Sequence, residues 1–128
     1  MKKRDRIIYW IATVWLSLGM VSSGIVQLIG TKEESVMMMR LGYPAYFMIL
    51  LGAWKMLGVI AVLSPKFPVL KEWAYAGFFF TATGAIISHA AISDKATEFI
   101  GPVLLLFLIV ISWYFRPEGR KLIPVRQE

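Results

Sequence analysis

Residues 7–29 form a run of 23 positions without a charged side chain, and no other feature of the chain limits its fold as strongly. At about 1.5 Å of rise per residue the run makes roughly 34 Å of helix, enough to cross a hydrocarbon core of about 30 Å with some tilt. The basic prefix Lys2, Lys3, Arg4 and Arg6 is like the start of a signal peptide. The apolar run, however, outlasts the core of about 7 to 15 residues that such a peptide carries, and no A-x-A-like site closes it. It is read as a first, uncleaved membrane helix.

Three further runs repeat the pattern. Residues 44–64 follow Gly42 and stop before Pro65, with Lys55 as their single charge; residues 73–92 and 97–115 complete the set, the last having the least definite start. Hydrophobic residues make up 58% of the chain and charged ones 17%, so a soluble globule of this size would leave much apolar surface in water. The expected fold is all-α: one transmembrane domain over residues 1–128, an integral membrane four-helix bundle running up and down. In the connection at 31–42, Thr31 followed by Glu34 fits a capping box, Val36 to Met39 and Leu41 supply apolar contacts and Gly42 ends the turn. A short interfacial helix is expected there.

Four spans put both termini on one side with the 65–72 loop. That side collects Lys2, Lys3, Arg4, Arg6, Lys66, Lys71, Arg116, Arg120, Lys121 and Arg126, against Lys32, Arg40 and Lys95 on the other. The positive-inside rule then places both termini in the cytoplasm of a bacterial inner membrane. Tyr9, Trp10, Trp73, Tyr75, Trp113 and Tyr114 are expected at the inner boundary, and Tyr43, Tyr46 and Phe99 at the outer one. The net charge of +6 thus reports topology, and no basic soluble domain for nucleic acid is present.

The absence of cysteine removes thiol catalysis, disulfide relay and thiolate metal sites. One histidine and seven methionines give no convincing first shell for a metal, so none is expected. No phosphate-binding glycine loop and no nucleophile with its base occurs, which leaves catalysis by this chain alone unsupported.

Lys55 is the most informative position, because an ammonium near the bilayer centre costs about 2.5 to 3.5 kcal/mol on insertion scales. It is expected to face the bundle interior. No Asp or Glu lies at its depth in any span, so its partners are hydroxyls, backbone carbonyls, Gln27 or a ligand. Gly52 and Gly58 flank it at three residues on either side, which suits clearance for a ligand as well as close helix packing. Trp54 is a candidate for stacking on a flat ligand. His89, with Ser88 beside it and Thr81 deeper, is expected roughly 8 to 10 Å toward the outer side from Lys55, within reach of a shared ligand. Gly77, Thr81, Gly84 and Ser88 share one helical face that also fits helix packing.

The segments Ser22-Ser23-Gly24, Leu41-Gly42-Tyr43-Pro44 and above all Gly52-Ala53-Trp54-Lys55-Met56-Leu57-Gly58 resemble the DoxX-like family of small bacterial membrane proteins. Trp73-Ala74-Tyr75-Ala76-Gly77-Phe78, Ser88-His89 and Trp113-Tyr114-Phe115-Arg116-Pro117 extend the resemblance over nearly the whole chain. It implies four-helix membrane proteins associated with quinone-coupled sulfur oxidation, as a membrane subunit of a thiosulfate to quinone oxidoreductase, and with a membrane complex for oxidative-stress defence. No redox group is encoded, so a redox role requires a bound quinone or a partner protein.

Three functions compete at this point. The first is a non-autonomous subunit of a quinone-linked or oxidative-stress redox system, holding a quinone or small anion at Lys55 with Gln27 and His89 polarising the outer approach. The second is a non-enzymatic assembly or stress factor that binds another membrane protein. The third is a small-solute or ion path, for which four spans would need a homo-oligomer.

Overall fold

The computed structural model describes residues 2–117 and 120, so the cations Lys121 and Arg126 lie outside the described residues. Five helices follow in order: α1 (Lys3–Ile29), α2 (Lys32–Leu41), α3 (Ala45–Leu63), α4 (Pro68–Ala91) and α5 (Ile100–Tyr114), the last entered through a 3-10 turn at Ala96–Phe99. The described residues contain no strand.

Local chemistry sets the boundaries. Gly30, at φ 72°, ends α1 by turning its N–H back to the Val26 carbonyl, a left-handed stop that costs glycine little. The Thr31 hydroxyl accepts from the Glu34 amide at 3.3 Å, and Gly42 at φ 90° closes α2. The short helix expected from the capping pattern is therefore present. Only half of the capping box forms, because the Glu34 carboxylate turns away to accept from Gln27 Nε2 at 3.1 Å.

The start of α4 differs from the sequence boundary near 73. Pro68 opens the helix at its first turn, and Lys71, expected as a loop cation, lies inside that turn and is buried. Its ammonium donates to the carbonyls of Ala61 at 2.9 Å, of Lys66 at 2.6 Å and of Ser64. The end of α3 leaves carbonyls without helical partners, and Lys71 collects them.

The four long helices form a ring in which α1 and α4 each lie against both α3 and α5. Neighbours run in opposite senses. Thr13 lies against Ser112 and Gly19 against Leu105, so α1 and α5 are antiparallel; Ser23 meets Lys55 while Gly30 meets Met48, so α1 and α3 are too. Short connections impose the same on α3 with α4 and α4 with α5. The packed core sits toward the end that holds the N-terminus, where Leu16, Met20, Val59, Val62, Phe78, Ala82, Leu108 and Ile109 pack together.

Polar groups are buried beside this core. Ser112 joins the hydroxyls of Thr13 at 2.6 Å and Tyr75 at 2.7 Å. Tyr75 and Tyr9 are thereby interior residues, whereas Trp73 and Tyr114 remain exposed as boundary anchors would be. A buried tyrosine needs a partner for its hydroxyl, and Ser112 supplies it.

Outside, the molecule is apolar. Ile11, Trp15, Leu18, Leu57, Ile60, Phe80, Ile87 and Phe107 are all exposed, while Thr13, Gln27, Lys55 and His89 are inside. This is the distribution expected when the solvent is lipid. Among the described residues, Lys3–Ile29, Ala45–Leu63 and Ala96–Tyr114 are long and apolar enough to cross a membrane, the last being the least buried of them. The helix α4 has the length, 24 residues, but Lys71, Glu72, Gly77, Thr81, Thr83, Gly84, Ser88 and His89 dilute its hydropathy.

Candidate functional site

Where the core ends, the bundle opens into a cleft of about 1070 Å³ that runs from Met20, Ala61 and Phe78 out to α2. Its wall is mostly aromatic and aliphatic, with Tyr43, Phe47, Trp54, Trp73, Phe78 and Phe80 contributing rings. Trp54 and Leu57 of α3 and Trp73 and Phe80 of α4 line the cleft and are also exposed on the outside. The cleft therefore opens sideways between α3 and α4, on the surface that would face lipid.

Two kinds of glycine build it. At Gly52 an added Cβ would sit 2.8 Å from the Gly24 carbonyl oxygen, and at Gly58 2.6 Å from the Phe78 ring. These two hold helices close. Gly52 does not line the cleft, and Gly58 lines it with its own side occupied by Phe78. At Gly77 and Gly84 an added Cβ would meet nothing within 4 Å, and both line the cleft. The small-residue face of α4 thus faces space instead of a neighbouring helix.

Lys55 lies on the inner side of α3, buried, and donates to Ser23 Oγ at 2.7 Å. The hydroxyl is a partner of the expected kind. Glu34, reaching in from α2, lines the same cleft. Gln27, one turn from Ser23 on α1, bridges to Glu34 through Nε2, while its Oε1 is buried without a hydrogen-bond partner among the described residues. The polar end of the cleft is hence Lys55, Ser23, Gln27 and Glu34.

At the far end of α4, Ser88 pairs with the Tyr43 hydroxyl and returns its own proton to the Gly84 carbonyl at 2.8 Å. Thr81 lines the cleft but satisfies itself on the Gly77 carbonyl at 2.7 Å. His89 is buried, lines the cleft and donates through Nδ1 to Asp94 at 2.6 Å. Asp94 also accepts from Arg40 of α2 at 2.7 Å and from the Lys95 amide at 2.9 Å. The His89 bond first, then Arg40 and the Lys95 amide, lower the Asp94 carboxyl from 3.8 to about 2. With Nδ1 taken by the carboxylate, Nε2 is the ring nitrogen left to the cleft.

The structure thus gathers Lys55, Gly58, Trp54, Gln27, Thr81, Ser88 and His89 around one cleft and leaves Gly52 in a helix contact behind it. Asp94 and Glu98 carry no signal in the sequence, and Glu34 and Tyr43 read there as a cap and an interfacial anchor, not as site residues. Asp94 stands just past the helix end from His89, where a loop acid is ordinary. His89, Asp94 and Glu98 hold ligating atoms within 4.8 Å of one another, near enough for a small cation. The same Asp94 oxygens already serve as the clasp between α2 and α4.

An all-helical chain with an apolar exterior, membrane-length helices and a charged residue at the bottom of an internal cleft is a helical membrane protein. The sequence profile of the DoxX-like family matches residues 11–112, and the chain belongs to that family. No curated relative and no solved structure matches the chain.

Proposed function

We propose that this protein is a ligand-holding subunit of a quinone-linked or oxidative-stress redox system in the bacterial cytoplasmic membrane. All four long helices cross the bilayer, both termini are cytoplasmic and α2 lies on the outer interface. The ligand enters from the lipid between α3 and α4, lays an apolar body against Trp54, Trp73, Phe78 and Phe80, and puts its polar head at Lys55.

The observation that carries this reading is a buried Lys55, bonded to Ser23 and grouped with Gln27 and Glu34, inside an aromatic cleft open toward lipid. With the Glu34 carboxylate lining the same cleft, a neutral amphipathic head group such as a quinone carbonyl fits better than a free anion. Electrons are exchanged with a partner protein, since the chain brings no redox group of its own.

The test is native mass spectrometry of protein taken from its own membrane in mild detergent, with extraction of bound small molecules, beside Lys55→Met prepared identically. A quinone-class lipid is expected on the wild type and absent from the variant. An empty wild type overturns the reading and leaves Lys55 as a structural group.

A further inference from the structure

The buried amide of Gln27 says more about the head group. Its Nε2 donates to Glu34 at 3.1 Å, which fixes the amide orientation, because the flipped amide would set two acceptors against each other. Its Oε1 is then left facing no donor, in a residue only 4% exposed and lining the cleft. An orphaned buried acceptor is costly, and native proteins usually satisfy such groups.

One turn away on the same face of α1, the Ser23 hydroxyl already accepts from Lys55 at 2.7 Å. An ammonium has three N–H donors, so Lys55 keeps donors to spare. The polar end of the cleft therefore has donors at Lys55 and one unmet acceptor at Gln27, whose Oε1 is closed over by its neighbours and is reached once the side chain turns toward the cleft.

We propose that the cleft is built for a hydroxyl-bearing head group, one that accepts from Lys55 and donates to Gln27 Oε1. This rests on the proposed function above and sharpens it. A phenolic or quinol hydroxyl meets both needs, whereas a quinone carbonyl meets only Lys55 and leaves Gln27 unpaired. Of a redox pair sharing one carbon skeleton, the reduced form is the one held.

The experiment uses the full chain in lipid nanodiscs under anaerobic conditions, with tryptophan fluorescence reporting occupancy through Trp54 and Trp73. The probes are decyl-hydroquinone, its mono- and dimethyl ethers and decyl-benzoquinone. The hydroquinone is expected to bind roughly tenfold or more tightly than the dimethyl ether or the quinone, the scale set by one unsatisfied buried acceptor. Gln27→Leu should abolish that preference, bringing hydroquinone and dimethyl ether to equal affinity. Gln27→Met, close in size and without the amide, tests the same point should the leucine variant fold poorly. Equal binding of hydroquinone, ethers and quinone overturns this inference and leaves the proposed function standing. Binding of none of the probes overturns the proposed function itself.

Discussion

Gly24 and Gly52 let α1 and α3 touch backbone to backbone: a Cβ on Gly52 would lie 2.8 Å from the Gly24 carbonyl oxygen. That contact fixes the spacing at which Lys55 reaches Ser23. Gly52→Ala should destabilise the protein by about 1–3 kcal/mol, as overpacking does, read as a lowered melting temperature in detergent. Gly84→Ala, where an added Cβ meets nothing within 4 Å, should leave melting unchanged or slightly raised by the better helix former. Equal losses at the two sites would show that α4 is packed as closely at Gly84 as α3 is at Gly52.

Filling the same open space with bulk separates fold from binding. Gly84→Leu projects into the cleft, so it should keep the melting temperature within a few degrees and weaken decyl-hydroquinone binding at least tenfold. Undiminished binding would place the ligand elsewhere.

Lys55→Met removes a buried ammonium and keeps the length of the side chain. Replacing both charges of a buried pair is often neutral or stabilising by about 1–4 kcal/mol, whereas removing one strands the other, so Lys55→Met combined with Glu34→Gln should melt no lower than the wild type while losing the ligand. A loss of melting temperature without loss of ligand would make Lys55 a structural residue.

Asp94 ties His89 of α4 to Arg40 of α2. Its carboxyl is lowered in the folded protein from 3.8 to about 2, so the unfolded chain binds this proton first as pH falls. The stabilisation is complete above about pH 4 and disappears as the pH drops through about 2. Thermal melts over that window should fall more steeply for the wild type than for Asp94→Asn. At neutral pH the asparagine variant should also show faster hydrogen exchange in α2, because the clasp to Arg40 is weakened. Matching pH profiles would remove Asp94 from the clasp.

The chain has no cysteine, so single-cysteine reporters are clean probes of orientation. Lys32→Cys should react with a membrane-impermeant maleimide added to the outside of intact spheroplasts, and Lys66→Cys only after lysis. The reverse pattern would invert the proposed topology.

Much of the fold was legible because a bilayer writes itself into sequence as long uncharged runs, and because Thr31, Glu34 and Gly42 mark α2 by local chemistry. The start of α4 was not legible. Lys71 and Glu72 look like loop charges until the carbonyls at the end of α3 are seen to need a donor. Lys55, Gln27 and His89 announce themselves as polar residues in apolar runs, so most of the cleft's polar positions could be named. What they face could not. The stripe of Gly77, Thr81 and Gly84 has the same spacing whether another helix covers it or a cavity does, and Glu34 reaches the Lys55 end only because α2 folds back over the bundle.

Lys71 has a mechanical consequence. Its ammonium gathers the carbonyls of Ala61, Ser64 and Lys66, and two turns further on Phe78 presses against Gly58, so α3 and α4 are riveted together at that end. Two rods fixed at one end part only at the other. Any widening of the cleft would pivot at Lys71, and the Tyr43–Ser88 hydroxyl bond is the latch across the opposite end.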